Sequence, residues 1–144
     1  MSALPSVGDR IEKRLLLSAD EVRAGAVSVG DENPVHHEAE AAAAAGFPSI
    51  IASGSHVFGV FSAMIPSHLI RYGAMLGAEM DVRFSAPIFP DTPYDMIWTI
   101  AELAARKNGN SYDVRLTGEI RSVANERPLV TANARGVLFP TTAS

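Results

Sequence analysis

Residues 30–38 read Gly30-Asp31-Glu32-Asn33-Pro34-Val35-His36-His37-Glu38, which sets a carboxylate and an imidazole five positions apart with Asn-Pro between them. Proline has no backbone N–H and pushes the preceding Asn33 toward extended geometry, so a helix running through this stretch is unfavourable. The segment reads as a rigid loop that can turn Asp31 and His36 toward one point. Such a pair can hold one water between its members, one group accepting a proton and the other donating one. Unperturbed pKa values of about 4 for Asp and about 6.5 for His make both groups usable near neutral pH. The residue types also allow a plainer reading, an Asx-type turn with a capping Asp and a surface His.

The flanking elements have to position that loop. A strand is expected within 8–17, and Ser18 three residues before Glu21 is a capping-box pattern for a helix over about 19–28. After the loop, 38–45 reads as a short helix of strong helix formers, stopped by Gly46 and Pro48. Residues 54–65 are apolar on all sides with small residues mixed in, the pattern of a buried helix. Pro66 is expected to end or kink it, with a further turn or two through 68–75. Gly54 opens this helix, where free N–H groups and the positive dipole end favour an anion; a tight strand-to-helix turn accounts for the glycine equally well.

The second half changes to strands over 80–89, 94–106, 111–123 and 129–139. Lys107-Asn108-Gly109-Asn110 is a hairpin turn, because Asn-Gly tolerates positive φ, and Asn125-Glu126-Arg127-Pro128 marks another connection. Helices first and antiparallel strands afterwards predict an α+β fold, a long curved sheet wrapped around one buried helix. Residues 141–144 are expected to be loose.

A chain of 144 residues with 47% hydrophobic content is read as one globular domain, 1–144. The net charge is −4, with both signs scattered, which argues against a nucleic-acid surface. The absence of cysteine excludes disulfides and thiol catalysis and fits a cytoplasmic protein. The N-terminus lacks a signal-peptide pattern, and no apolar run approaches the ~20 residues that span a bilayer. The histidines and acids form no metal-ligand spacing.

Gly30, Asp31, Asn33, Pro34, His36, Glu38 and the alanine run 41–45 resemble the signature of the MaoC-like (R)-specific enoyl-CoA hydratases and dehydratases, a hotdog-fold family. Ile50-Ile51-Ala52-Ser53-Gly54, leading into a helix with Ser62, resembles a second family block. Arg83-Phe84-Ser85-Ala86-Pro87-Ile88-Phe89-Pro90-Asp91-Thr92 resembles a third. The blocks stand in family order, and the resemblance covers about 8–138.

The resemblance implies a single hotdog domain that interconverts trans-2-enoyl and (3R)-hydroxyacyl thioesters. Coenzyme A or an acyl carrier protein carries the acyl group, and no further cofactor or metal is implied. It makes Asp31 and His36 the water-gripping pair, without saying which is base and which acid. It also puts the thioester carbonyl on the Gly54 N–H and Ser62 near the water or Asp31. Asn33, Ser53, His56 and Phe58 are the implied substrate-side residues, with Asn33 holding the loop and His56 lining the acyl or pantetheine channel. His37 and His68 read as solvated. Three positions depart from the pattern: Ser53 stands where the family often has histidine, Val29 precedes Gly30, and Phe89-Pro90-Asp91 replaces a Pro-Gly-Asp corner. The fold implies a homodimer or larger assembly. Two other activities stay in view: a hotdog thioester hydrolase using Glu38 or Asp31, and a non-catalytic acyl-binding subunit of a hetero-oligomer.

Overall fold

The four alternating segments of the second half are strands in a computed structural model that describes residues 4–107 and 109–141. With an N-terminal strand they make one antiparallel sheet of β1 (Arg10–Leu15), β2 (Gly73–Phe84), β3 (Tyr94–Ala105), β4 (Tyr112–Ser122) and β5 (Pro128–Pro140). The strand order is β1-β3-β4-β5-β2, and each neighbouring pair is antiparallel. The helical half supplies α1 (Ala19–Ser28), a 3-10 turn at Pro34–His36, α2 (Ala39–Ala44) and α3 (Gly54–Leu69).

The sheet wraps around α3 as expected, and alternation decides which side chains face it. Val114, Leu116 and Ile120 of β4, with Val130, Ala132, Ala134 and Leu138 of β5, are buried on the inner side. The stripe Val57, Phe61, Met64, Ile65 and Leu69 on α3 meets them. Trp98 of β3 stacks on Phe61 at 4.3 Å between ring centroids and donates its indole N–H to the Phe61 carbonyl at 2.9 Å. Gly118, opposite Trp98, leaves room for that stack, since a Cβ there would come within 2.5 Å of the indole. The outer side carries ion pairs such as Arg135 to Glu79 at 2.7 Å and to Asp113 at 3.0 Å. Exposed pairs of this kind contribute only about 0–1 kcal/mol each, so they mark a face turned to water rather than hold the fold.

The capping box forms as expected: the Glu21 amide donates to Ser18 Oγ at 3.1 Å, and the Ser18 amide to Glu21 at 3.0 Å. Three expectations change. Helix α3 runs through Pro66 to Leu69, because the proline removes one backbone donor while the burial of Ile65 and Leu69 holds the last turn in place. Strand β2 starts at Gly73 rather than 80, so the helical turns expected up to 75 stop at Leu69; residues 73–77 pair with 136–140 of β5 instead. Lastly, α3 is buried on one side only, with Gly59, Ala63 and Pro66 exposed on the other. Of the expected hairpin turn, Gly109 has φ +74, while Asn108 lies outside the described residues, as do 142–144 of the expected loose tail.

Candidate active site

Helix α1 ends at Ser28, and its last carbonyls launch the loop. The Gly30 amide donates to Val27 at 3.1 Å and the Asp31 amide to Ala26 at 2.9 Å. Gly30 takes φ +76, a left-handed conformation that terminates a helix at little cost for glycine. Asn33 then caps the 3-10 turn, its Oδ1 accepting from the Val35 amide at 3.4 Å. Pro34 heads that turn, where a missing N–H costs nothing.

The turn delivers His36 into the interior at 6% exposure. Its Nδ1 lies 2.7 Å from the Ile51 carbonyl, and its Nε2 lies 3.1 Å from Asp31 Oδ2. The pair meets directly. A carbonyl oxygen only accepts, so Nδ1 carries a hydrogen. Nε2 then faces the carboxylate oxygen at a distance over which the two can exchange a proton.

Asp31 accepts more than this contact. Ser53 Oγ donates to Oδ2 at 2.6 Å, and the Asn33 amide donates to Oδ1 at 3.1 Å. Donation from Ser53 first, then from Asn33, with smaller contributions from the charges of His36 and His37, holds the Asp31 carboxyl below the usual carboxylate range against an opposing effect of burial. The Asp31 side chain keeps 25% exposure against 7% for His36, so solvent reaches the carboxylate first.

Ser53 stands immediately before α3, whose first intrahelical bond is Val57 N–H to the Ser53 carbonyl at 3.0 Å. The amides of Gly54, Ser55 and His56 therefore precede the helical ladder, next to the residue that touches Asp31. Segment 50–53 is stitched on both sides: Ile51 N–H to the Val35 carbonyl at 3.1 Å, Ala52 N–H to the Ile88 carbonyl at 2.9 Å. The third block of the sequence thereby supports the second. An acid–base pair with one buried and one solvent-facing member, beside amides that precede the helical ladder, suits proton transfer next to a developing negative charge.

Residues 8–120 match the family model of the MaoC-like domain. The chain belongs to the MaoC-like domain family. A mitochondrial 3-hydroxyacyl-[acyl-carrier-protein] dehydratase of Arabidopsis thaliana is 24% identical over 135 residues, 94% of this chain and 78% of that protein. The MaoC-like dehydratase from Rhodospirillum rubrum superposes with TM-score 0.82 at 21% identity, covering 96% of each chain. The (R)-hydratase from A. caviae involved in PHA biosynthesis superposes with TM-score 0.79 at 24% identity, covering 94% of this chain and 98% of the other. These likenesses establish the hotdog fold, and membership of the MaoC-like family supports lyase chemistry of the dehydratase–hydratase type in general.

Within this MaoC-like site the remaining residues separate into two groups. Asp31, His36, Asn33, Ser53 and Gly54 converge. Ser62 stands apart from this hydrogen-bonded group: its hydroxyl returns to the Gly59 carbonyl at 3.2 Å, the back-bond common for a mid-helix serine. It borders an apolar groove of about 200 Å³ between α3, β2 and β5, with Pro66, Met75, Met80 and Leu116 among its walls. His56 is half-buried with its ring turned against α1, where a Cβ on Gly25 would lie 2.3 Å from it. Its Nδ1 has no hydrogen-bond partner among the described residues. Phe58 is half-buried on α3, whereas Phe61 and Met64 belong to the core.

His37 is a correction. Expected in solvent, it is half-buried, with Nε2 2.7 Å from the Asp31 carbonyl, and Arg23 donates to its own carbonyl at 3.0 Å. His68 is likewise half-buried, and burial with the nearby Arg71 charge pushes its pKa down. Two contacts escaped the sequence reading, Ser53 to Asp31 and His37 to the loop. The one signal for either was a polar residue at a helix start already expected to be inside.

Proposed function

We propose that this MaoC-like protein adds water to trans-2-enoyl thioesters to form (3R)-hydroxyacyl thioesters, and catalyses the reverse dehydration. The acyl group rides on coenzyme A or an acyl carrier protein, and the chain uses no further cofactor. The observation that carries the reading is the direct Asp31–His36 contact beside the first-turn amides of α3.

In hydration, the water oxygen forms a bond to C3 and the C2–C3 π electrons move toward the thioester carbonyl. Asp31, the more exposed member of the pair, takes the water proton. The proton on His36 Nε2 passes to C2, and the proton gained at Asp31 restores the pair. Negative charge builds on the carbonyl oxygen meanwhile, and a preorganised donor aimed at it contributes a few kcal/mol to transition-state stabilisation. The Gly54 N–H is that donor. Because the same pair handles both protons, addition proceeds on one face, in keeping with a single enantiomer. The groove along α3 and β2 takes the acyl chain. Near the proposed donor, a Cβ on Gly54 would lie 3.4 Å from the Phe84 ring.

The assembly is a homodimer. Strand β2 is a 12-residue edge, with Leu76, Met80 and Phe84 exposed at 62%, 39% and 45%. A long apolar edge invites pairing with another strand, and a second β2 satisfies it. Light scattering that finds only a monomer at micromolar concentration contradicts this.

Loss of enoyl-thioester absorbance on mixing with crotonyl-CoA tests the activity, with Asp31→Asn alongside. Loss with wild type alone, without thiol release, establishes hydration at this loop. Thiol release from a saturated acyl-CoA makes the protein a thioester hydrolase instead. Failure with short, long, branched and carrier-bound enoyl groups makes it an acyl-binding subunit.

A further inference from the structure

Ser53 occupies the N-cap of α3 with extended backbone angles, φ −64° and ψ 128°, yet its hydroxyl makes no cap bond. An N-cap serine ordinarily accepts from an amide of the first helical turn. Here the hydroxyl donates across 22 residues of sequence to Asp31 Oδ2 at 2.6 Å, and Ser53 is 1% exposed. This arrangement leaves the first-turn amides uncapped and ties the carboxylate to the helix that bears them. Short hydrogen bonds to an ionised acceptor are about twice as strong as neutral ones, and the donor side of this one is buried.

We propose that Ser53 is a positioning residue: its hydroxyl fixes Asp31 in orientation and keeps the carboxylate as the proton acceptor of the pair. The proposal rests on the hydratase reading above. Asp31 Oδ2 accepts from Ser53 Oγ and lies 3.1 Å from His36 Nε2, while Oδ1 accepts from the Asn33 amide. With those bonds in place the Asp31 carboxyl is held in its ionised form, ready to accept a proton from water. The titratable groups acting on Asp31 are His36 and His37 of its own loop. Helix α3 contributes Ser53, and α1 meets Asp31 through the Ala26 carbonyl. A histidine in place of Ser53, the frequent family residue, would meet Asp31 with a titratable ring; the serine supplies a donor that does not titrate.

The test compares wild type with Ser53→Ala and Ser53→Thr by carbon-13 NMR of the side-chain carboxyls, with Asp31 assigned through Asp31→Asn. The pH profile of kcat/KM on crotonyl-CoA is measured in parallel. In Ser53→Ala the Asp31 carboxyl titrates at higher pH, the acid limb of the profile moves up with it, and kcat falls about tenfold with little change in KM. Ser53→Thr, which keeps the hydroxyl, restores both. An unmoved Asp31 titration in folded Ser53→Ala overturns the proposal, as does a moved titration with an unmoved acid limb. Should Ser53→Ala not fold, Ser53→Cys keeps the bulk with only a weak S–H donor, and Asp31 at its wild-type midpoint there overturns it as well. Absence of wild-type turnover on every enoyl thioester overturns the hydratase reading and the catalytic role with it. The carboxyl titration then still decides by itself whether Ser53 sets Asp31.

Discussion

The two ends of α3 are built on opposite principles. At its N-terminus, Asp31, His36 and Ser53 are tied by directional bonds of 2.6–3.1 Å, and the loop that carries them is stitched to α1 and to segment 50–53. Toward its C-terminus, the groove against β2 is walled by Pro66, Met75 and Met80, and Ser62 at its border bonds back into its own helix. Proton transfer fails when donor and acceptor separate by a fraction of an ångström, so the first end is over-determined. Binding of an acyl chain, the role proposed for the groove, depends on non-directional burial, so the second end needs only apolar surface of suitable shape. Changes at the first end should therefore alter rate, and changes at the second should alter preference.

The largest effect belongs to the pair. Asp31→Ala or His36→Ala should lower kcat by about 10²–10⁴-fold, the range for loss of a general acid or base, while circular dichroism shows the fold retained. Full turnover in both variants would remove the catalytic half of the contrast. Gly54→Pro comes next. Ser53 already has the extended backbone that precedes proline, and the first helical position tolerates a missing N–H. The substitution therefore deletes one amide at small cost to the helix. A drop of about 10²–10³-fold is expected. Gly54→Ala adds the same Cβ beside Phe84 but keeps the amide, and it should reduce turnover far less. Equal reductions would mean that crowding of the ring, not the donor, explains the glycine.

Much of this contrast was legible in the sequence, and the unread portion has physical causes. The loop announced itself because Asn-Pro constrains the backbone locally, and Ser18–Glu21 fixed the start of α1 for the same reason. The start of β2 did not: Gly73 and Gly77 are poor strand formers, and only their pairing with β5 makes them strand. The Ser53–Asp31 bond joins residues 22 apart and accompanies the long-range tie of segment 50–53 to the loop, which no local pattern encodes. His37 looked like a second, solvated histidine because nothing local reveals that the Asp31 carbonyl turns toward it. The corner at Phe89-Pro90-Asp91, expected to differ from Pro-Gly-Asp, places Asp91 at φ +55 and ties its amide to the Leu17 carbonyl at 2.6 Å. An aspartate tolerates the left-handed region better than most residues, so Asp91 can hold this corner at positive φ.

At the other end of α3, Met80→Ser should sharpen the contrast by changing selection without changing rate on a short substrate. Removing an apolar wall costs about 0.8 kcal/mol for each methylene of the acyl chain left unburied, a few-fold in affinity. The ratio of kcat/KM for a medium-chain enoyl-CoA over crotonyl-CoA should fall by that factor, with kcat on crotonyl-CoA held. A uniform decline on both substrates would show that the groove and the pair are one unit.

The smallest effect concerns stability. Asp31 titrates below its ordinary range because Ser53 and Asn33 donate to its charged form. A depressed carboxyl stabilises the fold above its unfolded value of about 3.9, and that contribution disappears as pH falls through the lower folded value. Chemical denaturation at neutral pH should find Asp31→Asn less stable than wild type, with the gap narrowing on acidification. Partial exposure of the side chain limits the size of the gap. A gap that widened as pH fell would mean that the neutral acid, not the carboxylate, is what the folded loop prefers. Asp31 would then be the proton donor of the pair, and the roles assigned to Asp31 and His36 would exchange.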